Sequence, residues 1–428
     1  MGGRRSPPSP LAPIFLIVLV DVFGMTLVIP LLAIYAESFG ATPLDATLLV
    51  STYAVCQLVS GPLLGRASDR MGRKPLLLVS QAGTFVGFLL MARASALWMV
   101  YLARVIDGAT AGNLALAQAY ISDNTERSER ARSFALIGIA FGVGFFIGPA
   151  LTAKLVSYGL SAPVYLAAGL SMTSILCTAF LLPQSRPPSH GSAGPLARLQ
   201  SAGGGPADAD PGPRGRRPSL LAWATFAEYL RRPVLGGLFA QFLFFGISFA
   251  TFTSGFALFA ERRFVWRGHP FGVREIGYVF AYSGLLGIVI QGGLIGRLVK
   301  RFGEPPLAAV GFACMAMSYA TLSFAHTIGW LVVAATLAAL GTGINRPVLT
   351  SLISQTAGRH EQGAVLGVNQ SLMSMAQICA PALAGTLIGQ GRLAVWALVA
   401  AGASLVGLGL SRWGSGRAHQ REMSSAPT

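Results

Sequence analysis

Four ionisable side chains stand inside long apolar runs. Asp21 lies in LVDVFGMTLVIPLL, Arg104 and Asp107 in WMVYLARVIDGATAG, and Arg346 in GTGINRPVLT. A charge in hydrocarbon is costly and normally faces a cavity or a partner. Asp21 sits near half-depth of its run, about nine residues in at ~1.5 Å per residue. It suits a coupling site where proton and substrate alternate; a structural acid bonded to a neighbouring helix is the competing reading. Arg104 and Asp107, at i and i+3, project from similar faces and as a pair lower each other's cost. Such a pair either takes part in transfer or simply holds its helix in place. Arg346 precedes a proline, which disfavours helical geometry and predicts a kink. It attracts an anionic group, balances Asp21 across a cavity, or snorkels to the nearer interface. Asn113, Gln118, Gln241, Asn345, Asn369 and Gln370 are candidates to line a polar cavity, although helix-to-helix hydrogen bonding accounts for each as well. Phe242, Phe244 and Phe245 read as lipid-facing rather than as substrate contacts.

The elements that hold these residues follow from composition. The 428-residue chain is 53% hydrophobic and 11% charged, against about 25% charged for a soluble domain. Twelve apolar runs approach the ~20 residues needed to cross hydrocarbon as a helix: 12–35, 46–64, 76–92, 97–121, 134–154, 162–182, 233–257, 275–296, 306–324, 328–353, 363–388 and 393–411. They are continuously apolar rather than alternating, which excludes a β-barrel. The expected fold is all-α and polytopic. The net charge of +16 is an orientation signal rather than a nucleic-acid signal. With both termini cytoplasmic, most Lys and Arg fall inside, as the positive-inside bias requires. The outside loop ERRFVWRGHPFGVRE, with four arginines, runs against that bias.

Residues 183–219 are rich in Pro, Gly and Ser and read as a flexible cytoplasmic linker; 220–232 could add a surface helix. This divides the chain into a six-helix bundle at 1–182, a linker at 183–232, a second bundle at 233–411 and a tail at 412–428. The halves are related: Gly65, Arg66, Arg70 and Gly72 match Gly296, Arg297, Arg301 and Gly303, and PAL at 149–151 matches PAL at 381–383. Parallel six-helix repeats are a transporter architecture with the substrate site between them.

The loop GPLLGRASDRMGRK resembles the signature loop of the major facilitator superfamily. Residues 95–125 are similar to the fourth helix of its tetracycline-exporter-like drug:proton antiporters, and GVGFFIGPAL to their fifth-helix antiporter motif. That resemblance implies twelve helices in two pseudo-symmetric bundles. It implies proton-coupling roles for Asp21 and Arg104; Asp107 is less usual at its place, and either compensates for an acid missing from the third helix or forms an ion pair that holds its helix. It also puts Gly144, Gly148 and Pro149 in the antiporter motif, whose closing glycines are here Thr152 and Ala153. In the signature loop, Gly65, Asp69, Arg70, Gly72 and Arg73 read as a conformational latch. Glycines permit the tight turn, and Asp69 can meet a helix N-terminus or an arginine of the other bundle.

No Walker motif, haem signature or Cys/His metal box occurs in the chain, so neither catalysis nor a metal or cofactor is expected, and a proton gradient is the expected energy source. The expected function is proton-driven export of small, partly hydrophobic compounds. A proton-coupled uptake symporter and a transport-inactive sensor or scaffold are the alternatives. The expected partners are a small-molecule substrate, protons and the lipid bilayer, with no nucleic acid. A monomer in a bacterial inner membrane is the expected setting.

Overall fold

The computed structural model describes residues 11–124, 130–182, 229–356 and 362–424. The linker expected at 183–232 lies, apart from 229–232, outside the described residues. In the first half run α1 (Leu11–Val28), α2 (Leu32–Glu37), α3 (Pro43–Met71), α4 (Arg73–Ala92), α5 (Leu97–Ala109), α6 (Asn113–Asn124), α7 (Arg130–Leu155) and α8 (Ala162–Leu181). The second half has α9 (Pro233–Arg263), a hairpin of β1 (Val265–Trp266) and β2 (His269–Pro270), and α10 (Val273–Val289). A π-helical turn (Ile290–Leu294) leads into α11 (Ile295–Phe302), followed by α12 (Glu304–Phe324), α13 (Ile328–Thr356), α14 (Gln362–Gly389) and α15 (Leu393–Ser424).

Ten helical stretches among the described residues are long and apolar enough to span a membrane. The remaining two of the twelve expected passages are the pairs α1/α2 and α5/α6, each interrupted where one run was expected. Pro30, with no N–H to donate, sits in the first break. In the second, the Ser80 hydroxyl of α4 donates to the Thr110 carbonyl and accepts from Gly112 N at 2.9 Å. It thus supplies partners for groups freed by the interruption. Pro347, by contrast, leaves α13 unbroken, so the expected kink does not end that helix. The last helix also continues beyond the apolar run 393–411, into the expected tail.

Local signals set the ends of the helices. Thr42 and Asp45 form a reciprocal capping box at α3, with Pro43 in the first turn, satisfying two orphan donors at once. The turns between α3 and α4 and between α11 and α12 rest on Gly72 (φ +93°) and Gly303 (φ +77°). This is a left-handed conformation that favours glycine, and it recurs at matching positions of the two repeats.

Two seams join the halves. Along the first, Gly277 and Gly284 of α10 leave no room for a Cβ against the backbone of α7 at Pro149 and Phe145. Along the second, Gly385 of α14 fits against Pro43, Leu44 and Thr47 of α3, and Ser51 donates to the Ile378 carbonyl at 2.8 Å. Small residues let backbones approach in this way. Both seams run from the middle of the helices to the end carrying Glu37 and the hairpin. Toward the Gly72/Gly303 end they open. Gln291, Gly292, Gly293 and Leu294 are all exposed, which a helix packed along one side does not permit. The molecule is closed at one end and open at the other.

Candidate functional site

Asp107 is the tenth residue beyond the start of α5, ~15 Å along it, about half the ~30 Å hydrocarbon thickness. Arg104 Nη1 donates to Asp107 Oδ2 at 3.0 Å, with side-chain exposures of 12% and 10%. The guanidinium carbon lies 4.5 Å from the centre of the Tyr53 ring of α3, a cation–π arrangement strengthened by desolvation. Arg104 Nε is buried without a hydrogen-bond partner. The third passage, α4, has no acid, and a Cβ at its Gly87 would stand 3.1 Å from Asp107 Cβ. The glycine opens the space in which the fourth-helix acid packs.

Asp21, on α1, lies within electrostatic reach of Asp107 and Tyr53. Its Oδ1 is buried with no hydrogen-bond partner. Beside it is the Ser174 hydroxyl of α8, which accepts from Gln81 Nε2 of α4 at 2.8 Å. The three charged candidates of the first half therefore form one cluster with Tyr53, Gln81 and Ser174. Sequence reasoning passed over these last three residues. Gln81 carried the strongest signal, as a lone amide in LLLVSQAGTFV, whereas Ser and Tyr are ordinary in membrane helices. A closed ion pair beside an acid with an unpartnered oxygen can accept a proton at the acid without leaving Arg104 uncompensated.

The other candidates disperse. Arg346 is exposed; its guanidinium lies 5.4 Å from the Phe141 ring of α7, across the gap between the halves, and it makes no ion pair among the described residues. Asn345 points the other way. With its amide oriented to satisfy both groups, it donates to the Ala308 carbonyl at 2.9 Å and accepts from Phe312 N at 3.0 Å, filling the space at Gly311 of α12. It is a helix-to-helix bond inside the second half. Asn113 and Asn369 each keep a buried oxygen without a partner, Gln241 is buried, and Gln118 and Gln370 are exposed. Phe242 and Phe245 do not face lipid as expected. Both are buried and pack together at 5.8 Å between ring centres, because the inner face of α9 is covered by α14 and α15.

Gly144 and Gly148 leave no room for side chains against Val22 and Thr26 of α1. Thr26 Oγ1 donates to the Gly144 carbonyl at 2.9 Å, and Thr152 Oγ1 to the Leu27 carbonyl at 2.7 Å. With Pro149 meeting Gly277, α7 is clamped between the helix bearing Asp21 and the opposite bundle. In the signature loop, Gly65 is open, Arg70 is exposed and Arg73 Nη1 donates to Ser68 Oγ at 2.5 Å. The Asp69 side chain lies outside the described residues. Lys74 Nζ donates to the carbonyls of Ala179 and Leu182 at 2.8 and 2.7 Å, tying the turn to the end of α8. In the second repeat, Glu304 accepts from Ser351 Oγ at 2.7 Å, tying α12 to α13.

Comparison with known proteins bears on this arrangement. A family model described as Major Facilitator Superfamily matches residues 14–381 and, again, 275–422. The class B tetracycline resistance protein of Escherichia coli is 30% identical over 370 residues, covering 86% of this chain and 85% of that protein. Multidrug resistance protein 2 of Bacillus subtilis is 26% identical, with 87% and 88% covered. The crystal structure of the human organic anion transporter MFSD10 superposes with a TM-score of 0.67 at 21% identity, covering 95% of this chain and all of that one.

Proposed function

The chain belongs to the major facilitator superfamily, and on that premise we propose that it is a proton-coupled antiporter exporting small, partly hydrophobic compounds of the tetracycline or multidrug type. It is a multi-pass membrane protein and not an enzyme. The observation that carries the coupling is the Asp21 carboxyl with an unpartnered buried oxygen beside the Arg104–Asp107 pair. Asp21 takes a proton when the cluster faces outside and releases it inside. Substrate binding favours release, since an ionised Asp21 and a bound basic or polar group compensate each other. Arg104 limits the charge of Asp107, so that Asp21 carries the exchange. Energy comes from the proton gradient, with no cofactor.

In this reading the termini are cytoplasmic, the membrane is a bacterial inner membrane and the transporter acts as a monomer. The Gly72/Gly303 end then faces the cytoplasm, so the conformation described above is inward-open. Closing that end brings the two signature turns together, where Asp69 acts as the latch of the outward-open state. Arg346, on the opposite face of the gap beside Phe141, offers its N–H groups to an acceptor oxygen of the substrate.

Everted vesicles test the proposal. An imposed proton gradient should partly collapse when tetracycline or a lipophilic dye is added, and vesicles without the protein should not respond. A gradient indifferent to a broad panel of such compounds would refute drug:proton exchange.

A further inference from the structure

The four arginines at 261–275 run against the charge bias of the rest of the chain. Two of them have structural partners. Arg262 pairs with Glu37 of α2, and Arg263 bonds the Ala325 carbonyl at 2.9 Å and His326 at 3.0 Å. The other two, Arg267 and Arg274, lack an ion-pair partner among the described residues, Arg274 donating from Nε only to the Tyr278 hydroxyl at 3.4 Å. Yet both point into one cavity of about 440 Å³, with Trp266, His269 and Tyr278 among its walls. Each guanidinium lies over an aromatic ring of the same wall, Arg267 at 5.7 Å from the Trp266 ring and Arg274 at 6.0 Å from that of Tyr278. The acid there, Glu275, is already engaged by Gly272 N at 2.9 Å as the cap of α10. Arg267 also holds φ +52° at the hairpin tip, a left-handed conformation that non-glycine residues rarely adopt. The hairpin thus projects a cation at a conformational cost.

The cavity does not end at the polar mouth. A second hollow of about 180 Å³ continues from it between α10 and α13, sharing Tyr278, Val279, Leu331 and Val332 and reaching Tyr282 and Ala335. Its wall is almost wholly apolar. At its foot the Tyr282 and Thr336 hydroxyls are 2.9 Å apart. From Arg274 to Tyr282 is ~12 Å along the helix, so a cationic mouth at the helix ends leads into a greasy channel within the membrane. Every lining residue belongs to the second half, and Tyr278, Tyr282 and Val332 are exposed, so the groove is built within that bundle alone and is open at its side.

We propose that this groove binds one anionic phospholipid of the outer leaflet. The phosphate is held by Arg267 and Arg274, and one acyl chain lies between α10 and α13. A guanidinium fork is suited to a phosphate, aromatic residues sit at headgroup level, and clustered arginines at a membrane surface recognise anionic lipid. The assignment is independent of what is transported and accounts for two outside arginines that topology alone leaves unexplained.

Native mass spectrometry of the full-length protein ejected from nanodiscs of mixed phosphatidylglycerol and phosphatidylcholine tests it. The wild type should retain one phosphatidylglycerol more than Arg267→Gln/Arg274→Gln. Arg93→Gln, an exposed arginine outside the groove, should match the wild type. Val332→Trp, which fills the apolar channel and leaves both arginines, should lose the same lipid. Equal retention by the double variant would overturn the proposal, as would a Val332→Trp protein that keeps the lipid. Displacement of the lipid by inorganic phosphate alone at millimolar concentration would make this a simple anion site and also overturn it. An unchanged thermal midpoint in detergent confirms that the variants are folded.

Discussion

Neutralising Asp21 and breaking the Arg104–Asp107 pair should have different effects. Asp21→Asn keeps size and removes the titratable proton. Proteoliposomes with this variant should still bind substrate and exchange it down its gradient, but lose proton-driven accumulation at least tenfold. Full coupled flux would move the coupling elsewhere. Asp107→Leu leaves Arg104 buried with no anion, and breaking a buried pair on one side costs about 3–5 kcal/mol. Arg104→Leu/Asp107→Leu removes both charges, and its thermal midpoint should recover most of that loss while transport stays absent. If the double variant is as unstable as the single one, the pair is not what Arg104 depends on. A pair that served only to hold the helix would restore transport along with stability.

Helix contacts decide where the molecule is closed. A Cβ at Gly284 meets the backbone of Phe145, whereas one at Gly292 of the same passage meets nothing within 4 Å. Backbone cannot swing away as a flexible side chain can, and overpacking costs about 1–3 kcal/mol. Gly284→Ala should therefore weaken the seam between α7 and α10 and expose a cysteine reporter at Ala153 to thiol reagents. Gly292→Ala should leave labelling unchanged. Equal labelling of the two variants would show that the seam does not depend on close approach. The break between α5 and α6 acts at this level too. It sits three residues beyond Asp107, held by Ser80, and fixes the end of the helix that carries the ion pair.

At the scale of the whole molecule, one ion pair among the described residues bridges the halves at the closed end, Arg262 Nη2 to Glu37 Oε1 at 2.5 Å. The two side chains are 31% and 19% exposed, and such pairs contribute about 0.2–1 kcal/mol. Glu37→Gln should therefore shift the balance between conformations by no more than about fivefold. Spin labels placed across this end should report that change as a larger population at long distance. A complete switch to the open state would mean that the pair, rather than the glycine seams, holds the end shut.

Class, passages and repeats were legible in the residues, because a segment in hydrocarbon must satisfy its backbone internally and be apolar along its length. The charged residues showed for the same reason, each being costly where it stood. What the residues could not reveal was direction. Asn345 and Arg346 are neighbours in one helix, yet the first bonds α12 and the second faces the gap, and Phe242 and Phe245 turn into the bundle rather than to lipid. Lipid tails and a helix-packed interior are equally apolar, so composition does not tell one face of a membrane helix from another. Packing alone set Asp107 against Gly87, joined Asp21 to Ser174 and Gln81, and brought Arg267 and Arg274 to one cavity. Those contacts depend on how separate helices cross, which no single stretch of chain encodes.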